Sequence, residues 1–147
     1  MLKKPSHISE HFCYRDFMCK CNNCSNSNAF KISLGLVGGL ELLRSLAKQR
    51  INILKGYLCS ENEETMYTKK NYHLFGLAAD ITIDNTDLVK MFELAEMVSE
   101  FKGIGINFGE KYIHVDTRKD DKRVLWVIKF GKKIDLTEEN RKEVLGE

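Results

Sequence analysis

The chain has 147 residues, 43% of them hydrophobic and 30% charged, with a formal net charge of +2. That length and balance suit one globular domain with a genuine core. So small a charge gives no electrostatic case for nucleic acid or an anionic membrane as partner, and no apolar run approaches the roughly 20 residues of a membrane helix.

In chain order, the N-terminus MLKKPSHISEHF has two lysines but no apolar stretch behind them. It does not read as a secretory signal, so work in the cytoplasm, or release from it by another route, is expected. Residues 1–33 are polar, irregular and rich in cysteine. The five cysteines are Cys13, Cys19, Cys21, Cys24 and Cys59, an odd count that argues against a complete disulfide framework. Cys19, Cys21 and Cys24 are spaced closely enough to hold a structural metal with Cys13 or Cys59 as fourth ligand. The competing reading is a set of reduced thiols that pin the segment by burial.

Residues 34–49 place Leu36, Leu40, Leu43 and Leu46 or Ala47 at helical spacing, despite Gly38 and Gly39, each of which weakens a helix by about 1 kcal/mol. INILKGYL, 51–58, reads as a strand and 59–72 as a charged loop long enough to suggest a function. LAADITI, 77–83, is a second strand. Thr86 or Asn85 then caps a helix running to about Phe101, with a stripe of Leu88, Met91, Phe92, Ala95, Val98 and Phe101. GIGIN, KYIHVDT and RVLWVIKF follow as strands close enough in sequence for antiparallel hairpins, and 131–147 is a tail with a short helical or frayed end. The expected plan is α+β: one domain over 1–147, a mostly antiparallel sheet with helices packed on one side.

Polar groups interrupt two of these apolar strands. Seven residues of straight strand would hold His73 and Asp80 about 23 Å apart, so they meet only if the chain turns at Gly76. On a strand, Tyr112, His114 and Asp116 share one face while Ile113 and Val115 take the other. Two imidazoles and a carboxylate suit zinc, whose catalytic sites commonly keep three protein ligands and leave a fourth position for water. A histidine in an apolar strand is also commonly a hydrogen-bonded core residue, and spacing leaves both readings open. A carboxylate in a buried strand is harder to excuse without a partner or a metal.

HLFGLAADI matches the H-x-x-G-x-A-x-D signature of the zinc D-alanyl-D-alanine carboxypeptidase family, and GIGINFGEKYIHVDTR resembles that family's closing segment. SEHFCYRDFMCKCNNC is similar to the opening of its small C-terminal-domain-type branch, and LELLRSLAKQRINILKGY to the helix and strand that follow. The resemblance spans about Ser9 to Arg118. It implies the zinc scaffold shared with hedgehog domains, with His73, Asp80 and His114 as metal ligands.

A zinc peptidase also needs a group to move a proton from water to the leaving amine. Some relatives carry a glutamate three residues before the last ligand; here that position is Lys111. Asp116, about 7 Å from His114 along the strand, is the favoured catalytic substitute, with Glu110 second. The alternative for Asp116 is to orient a ligand. The family's Ser-Gly-Tyr-Arg reads Lys55-Gly56-Tyr57-Leu58 here, so its carboxylate-gripping arginine is absent; the serine two before the first ligand is Asn71. Arg118, Lys55, Lys69 or Lys70 is left to hold a substrate carboxylate, unless the enzyme is an endopeptidase that needs none. Tyr57 and Tyr112 are candidates to line the cleft; Trp126 reads as a core or sheet-face residue. The expected function is a monomeric zinc peptidase acting on peptidoglycan stem peptides or cross-links, either lysin-like or recycling wall fragments. The rivals are a silent zinc-binding recognition module on the same fold and, more weakly, a cysteine-cluster module that binds nucleic acid.

Overall fold

A computed structural model of the chain describes residues 7–21, 30–60, 62 and 71–146. Cys24, Lys69, Lys70 and most of the charged 59–72 segment lie outside the described residues. Among the described residues are four α-helices, α1 (Tyr14–Phe17), α2 (Leu34–Ala47), α3 (Leu88–Glu96) and α4 (Arg141–Leu145). The six strands are β1 (Ile51–Lys55), β2 (Ala78–Ile83), β3 (Gly103–Asn107), β4 (Tyr112–Asp116), β5 (Val124–Lys129) and β6 (Lys132–Asp135). They form one sheet in the order β1-β2-β4-β3-β5-β6. All pairings are antiparallel except β3 with β5. The fold is therefore α+β and mostly antiparallel, as expected.

Strand alternation sorts the side chains onto two faces. One row of register partners crosses all six strands as Ile53, Ile81, Ile113, Ile106, Val127 and Ile134. It joins Leu36, Leu40 and Leu43 of α2 and Met91, Phe92 and Ala95 of α3 in the core. The adjacent row is Lys55, Asp80, His114, Gly105, Trp126 and Asp135. It carries polar groups on the opposite face of the sheet.

Several elements depart from expectation for local reasons. β1 stops at Lys55 instead of running to Leu58. A bulge interrupts its pairing after Ile53, the Tyr57 N–H turns away to Phe17 O (2.7 Å), and the Leu58 N–H bonds His73 O (3.1 Å). Asp87, not Thr86 or Asn85, caps α3: its side chain accepts from the Lys90 N–H (2.9 Å), while Asn85 takes a left-handed turn at φ 56. That helix ends at Glu96; Val98 and Phe101 are buried in the turns that follow. Arg123 donates to the carbonyls of Glu96 (2.7 Å), Val98 (2.7 Å) and Phe101 (2.8 Å), securing those turns. β5 lies parallel to β3, so β4 and β5 do not form the expected hairpin. The 131–147 tail holds β6 and α4; Phe130 and Gly131, at φ 52 and 73, make the two-residue turn from β5 into β6.

In α2, a Cβ on Gly39 would come within 2.7 Å of the Phe101 ring. The glycine that weakens the helix is the one against which this aromatic packs. No helix among the described residues is long and apolar enough to cross a membrane.

Candidate metal centre

His73 sits in a 3-10 turn, Tyr72–Phe75. Asn71 opens the turn by accepting the His73 N–H on its side chain (2.9 Å). Gly76 closes it at φ 71, a left-handed conformation that disfavours a side chain, and a Cβ there would also lie 2.4 Å from Lys31 O. The chain thus reverses between His73 and Asp80, and His73 Nε2 comes 3.3 Å from Asp80 Oδ1. Asp80 and His114 are direct register partners on β2 and β4, which sets His114 Nδ1 2.9 Å from the same oxygen. Among the described residues, the buried polar or charged residues are His73, Asp80 and Asp116. The buried polar side chains of the described residues are thus concentrated at this site, where burial is costly unless groups are paired or ligate a metal.

The outer nitrogen of each imidazole has a protein partner. His73 Nδ1 donates to Gly56 O at 2.8 Å, which turns Nε2 toward Asp80. His114 Nε2 donates to Asp116 Oδ2 at 2.7 Å. Asp116 is fully buried and gripped by Arg118: Nε to Oδ1 and Nη2 to Oδ2, both at 2.8 Å, with the Arg118 backbone N–H on Oδ1 at 3.1 Å. Both rings therefore turn their remaining nitrogen toward Asp80 Oδ1. The ligating atoms of His73, Asp80 and His114 lie within 4.8 Å of one another. A tetrahedral zinc with bonds of about 2.0–2.1 Å has ligand–ligand edges of about 3.3 Å, so the spacing and donor set fit that ion.

The three titrating groups brace one another. Burial opposes an ionised Asp80, but hydrogen bonds from His114 and His73 and their charges hold it well below the usual carboxylate range. Burial likewise opposes ionised Asp116, and bonds from Arg118 and His114 outweigh it. Burial would lower His114, yet its bonds to Asp116 and Asp80 and their charges push it up to about 9. In the metal-free chain an imidazolium thus supplies the positive charge between two carboxylates.

The cleft over these atoms has a volume of about 490 Å³. Its walls include Asn71, Tyr72, Tyr112, Arg118, Trp126 and Lys133. Arg118 stacks its guanidinium 4.3 Å from the Tyr72 ring centre, and Lys133 Nζ lies 4.9 Å from the Trp126 ring. Burial, followed by the charge of Asp80, pushes the Tyr112 hydroxyl pKa up. Of the residues singled out in sequence, His73, Asp80, His114 and Arg118 come together here. Asp116 lies behind His114, on the far nitrogen from Asp80, sealed from solvent. Glu110 is exposed in the β3–β4 turn. Tyr57 is elsewhere: it is buried with its ring edge-on to Phe30, beside Cys21 and Leu58.

Sequence reasoning passed over the two glycines of GIGIN. A Cβ on Gly103 would lie 2.3 Å from the Asp116 carboxylate, and one on Gly105 2.2 Å from the Trp126 indole. Their bare faces make room for Asp116 and for Trp126, whose ring centre is 5.3 Å from that of His114. The available signal was two glycines at i and i+2, on one face of a predicted strand. Lys133 was unreadable because β6 itself was read as tail.

Three converging side chains at the floor of an open cleft, on an α+β sheet, make a group that could hold one metal ion with a position left open to the cleft. The Peptidase M15 family model matches residues 10–116, and the chain belongs to this family of zinc peptidases, which includes D-Ala-D-Ala carboxypeptidase-like members. No curated protein matches the chain in sequence.

Proposed function

We propose that the cleft is the active site of a zinc-dependent peptidase that cleaves peptidoglycan stem peptides or their cross-links. The observation that carries this reading is the pairing of each imidazole's outer nitrogen, with Gly56 O and with Asp116, which commits the inner nitrogens and Asp80 Oδ1 to one point at the cleft floor. Zinc held there would polarise a scissile carbonyl and bring a water's pKa near neutrality.

The chain's own residues do the rest. Asp116, read from sequence as the proton carrier, is in this proposal a positioning residue: it keeps a proton on His114 Nε2 and so directs the other nitrogen inward. Arg118 holds Asp116 and forms cleft wall with the remainder of its guanidinium. Tyr112, its hydroxyl kept protonated by burial and the nearby Asp80 charge, serves as a hydrogen-bond donor to substrate. Lys133, at the rim, supplies the positive charge for a peptide carboxylate that the family's arginine would otherwise provide; its counterpart Leu58 is buried.

Two observations favour a second reading, a zinc-binding module without catalysis. Asp80 is the one carboxylate lining the cleft among the described residues, and Arg118 is already occupied by Asp116. One assay separates the two. Zinc-loaded protein is incubated with peptidoglycan and with a stem pentapeptide, and released D-Ala and opened cross-links are quantified. Cleavage that is abolished by chelation and by His73→Ala establishes the peptidase. Stoichiometric zinc with every substrate bond intact establishes the silent module.

A further inference from the structure

The cysteines of the N-terminal segment meet a partner from far along the chain. Cys19 and Cys21 follow α1, and Cys59 follows the end of β1. Cys59 Sγ lies 3.7 Å from Cys19 Sγ and 3.4 Å from Cys21 Sγ, and all three sulfurs fall within 4.8 Å of one another. None of the three is in a disulfide, which would require about 2.05 Å. Thiolates at about 2.3 Å around a tetrahedral zinc are separated by about 3.8 Å. The observed spacing is that of ligands around a common centre. Asn62 Nδ2 donates to Cys19 Sγ at 3.6 Å, the kind of outer bond that supports a metal thiolate. Lys20 and Lys55 line the hollow beside Cys21 and bring positive charge to the same place.

We propose that Cys19, Cys21 and Cys59 form a second metal site, for zinc or another soft divalent cation, distinct from the His73–Asp80–His114 centre. Each thiol releases its proton to solvent as its sulfur–metal bond forms. The site's role is positional. Cys59 directly follows Leu58, whose N–H bonds His73 O, and Gly56, three residues before Cys59, offers the carbonyl that orients the His73 ring. A metal clasped by Cys59 and the N-terminal pair therefore anchors the strap 56–59 from which His73 is aligned. The soft thiolate set accounts for cysteines that the peptidase reading leaves unused.

The test uses the full chain, reduced and then loaded with Co²⁺ alone or Zn²⁺ alone. Wild type binds two zinc ions and, with cobalt, shows an intense near-ultraviolet thiolate-to-metal charge-transfer band. The His73→Ala/His114→Ala variant keeps that band, because imidazole and carboxylate ligands cannot produce it. Cys19→Ser and Cys59→Ser lose the band and one zinc equivalent while retaining the other, which also reports that they are folded. In wild type, zinc slows alkylation of Cys19, Cys21 and Cys59, mapped by peptide mass, and a chelator restores it. A cobalt-loaded wild type without the band, a band that survives Cys59→Ser, or alkylation indifferent to zinc overturns the proposal. Failure of the cleft reading looks different: the thiolate band stays and the other equivalent is missing.

Discussion

His114 and Asp116, two residues apart on β4, face each other with Nε2 2.7 Å from Oδ2. This contact decides which ring nitrogen of His114 faces Asp80. It lies on the opposite side of the ring from Asp80, and the carboxylate that makes it is itself clamped by Arg118. The alternating geometry of a strand puts residues i and i+2 on one face; the bare Gly103 opposite leaves space for the carboxylate to lie against the sheet.

Replacing Asp116 by Asn keeps the shape but removes the charge. Zinc affinity is expected to fall about 10- to 100-fold, with a loss of about 3 kcal/mol of stability from the broken buried pair. Arg118→Met should lower zinc affinity in the same direction, because it frees the carboxylate that steers His114. Competition against a chromogenic chelator gives the affinities and urea unfolding the stabilities. Asp116→Asn binding zinc within about twofold of wild type would show that the contact does not position the ligand.

The metal-free protein should lose stability on the alkaline side. His114 is raised in the folded chain from 6.5 to about 9, so its stabilising contribution is complete below 6.5 and disappears as pH rises through about 9. Its size is on the order of 3 kcal/mol. Asp80 and Asp116 are lowered, so theirs is present above the ordinary 3.8 and lost as pH falls further. Zinc held at the proposed site would stand in place of the proton on His114 Nδ1, so bound metal should abolish the alkaline loss. Melting scans with and without zinc should show a zinc-dependent gain that widens from neutral pH to about pH 10. A gain that narrows over this interval would contradict the proposed ligation.

Gly105→Ala and Gly103→Ala should each be destabilising by about 1–3 kcal/mol, since their Cβ atoms would overlap an indole and a carboxylate. The two should part company in what else they disturb. Gly105→Ala displaces Trp126, the single tryptophan, and shifts its fluorescence. Gly103→Ala displaces Asp116 and lowers zinc affinity. Wild-type emission from Gly105→Ala would mean the indole does not rest on that glycine.

Arg123→Ala removes three hydrogen bonds to carbonyls at the end of α3 and in the turns after it. A loss of about 3 kcal/mol is expected, given that bonds to a charged donor are the stronger kind. Zinc affinity should not change, because Arg123 is not among the cleft residues. Thermal denaturation and chelator competition on the same sample check both parts.

Much of the fold was readable because its signals are local. The leucine spacing of α2, the alternation in β2 and β4, and the break at Gly76 each depend on residues within a turn or two. The errors lie where a distant group intervenes. β1 ends early because Phe17 and His73 take its backbone partners. α3 starts one or two residues late because Asp87 has the better-placed oxygen. The Phe130-Gly131 turn hid β6, since phenylalanine is an uncommon residue at a left-handed position.

From the order of residues alone came the α+β plan, the two imidazoles and carboxylate set among apolar residues, and the glycine at 76 that lets the chain turn. Only the folded chain decided which nitrogen of each histidine faces inward, that Asp116 stands behind His114, that Tyr57 belongs to another part of the molecule, and that Cys59 meets Cys19 and Cys21. The division has a physical cause. Periodicity and turn chemistry act between neighbours in sequence, whereas the partners that orient an imidazole or gather three thiols are supplied by segments brought close only when the sheet closes.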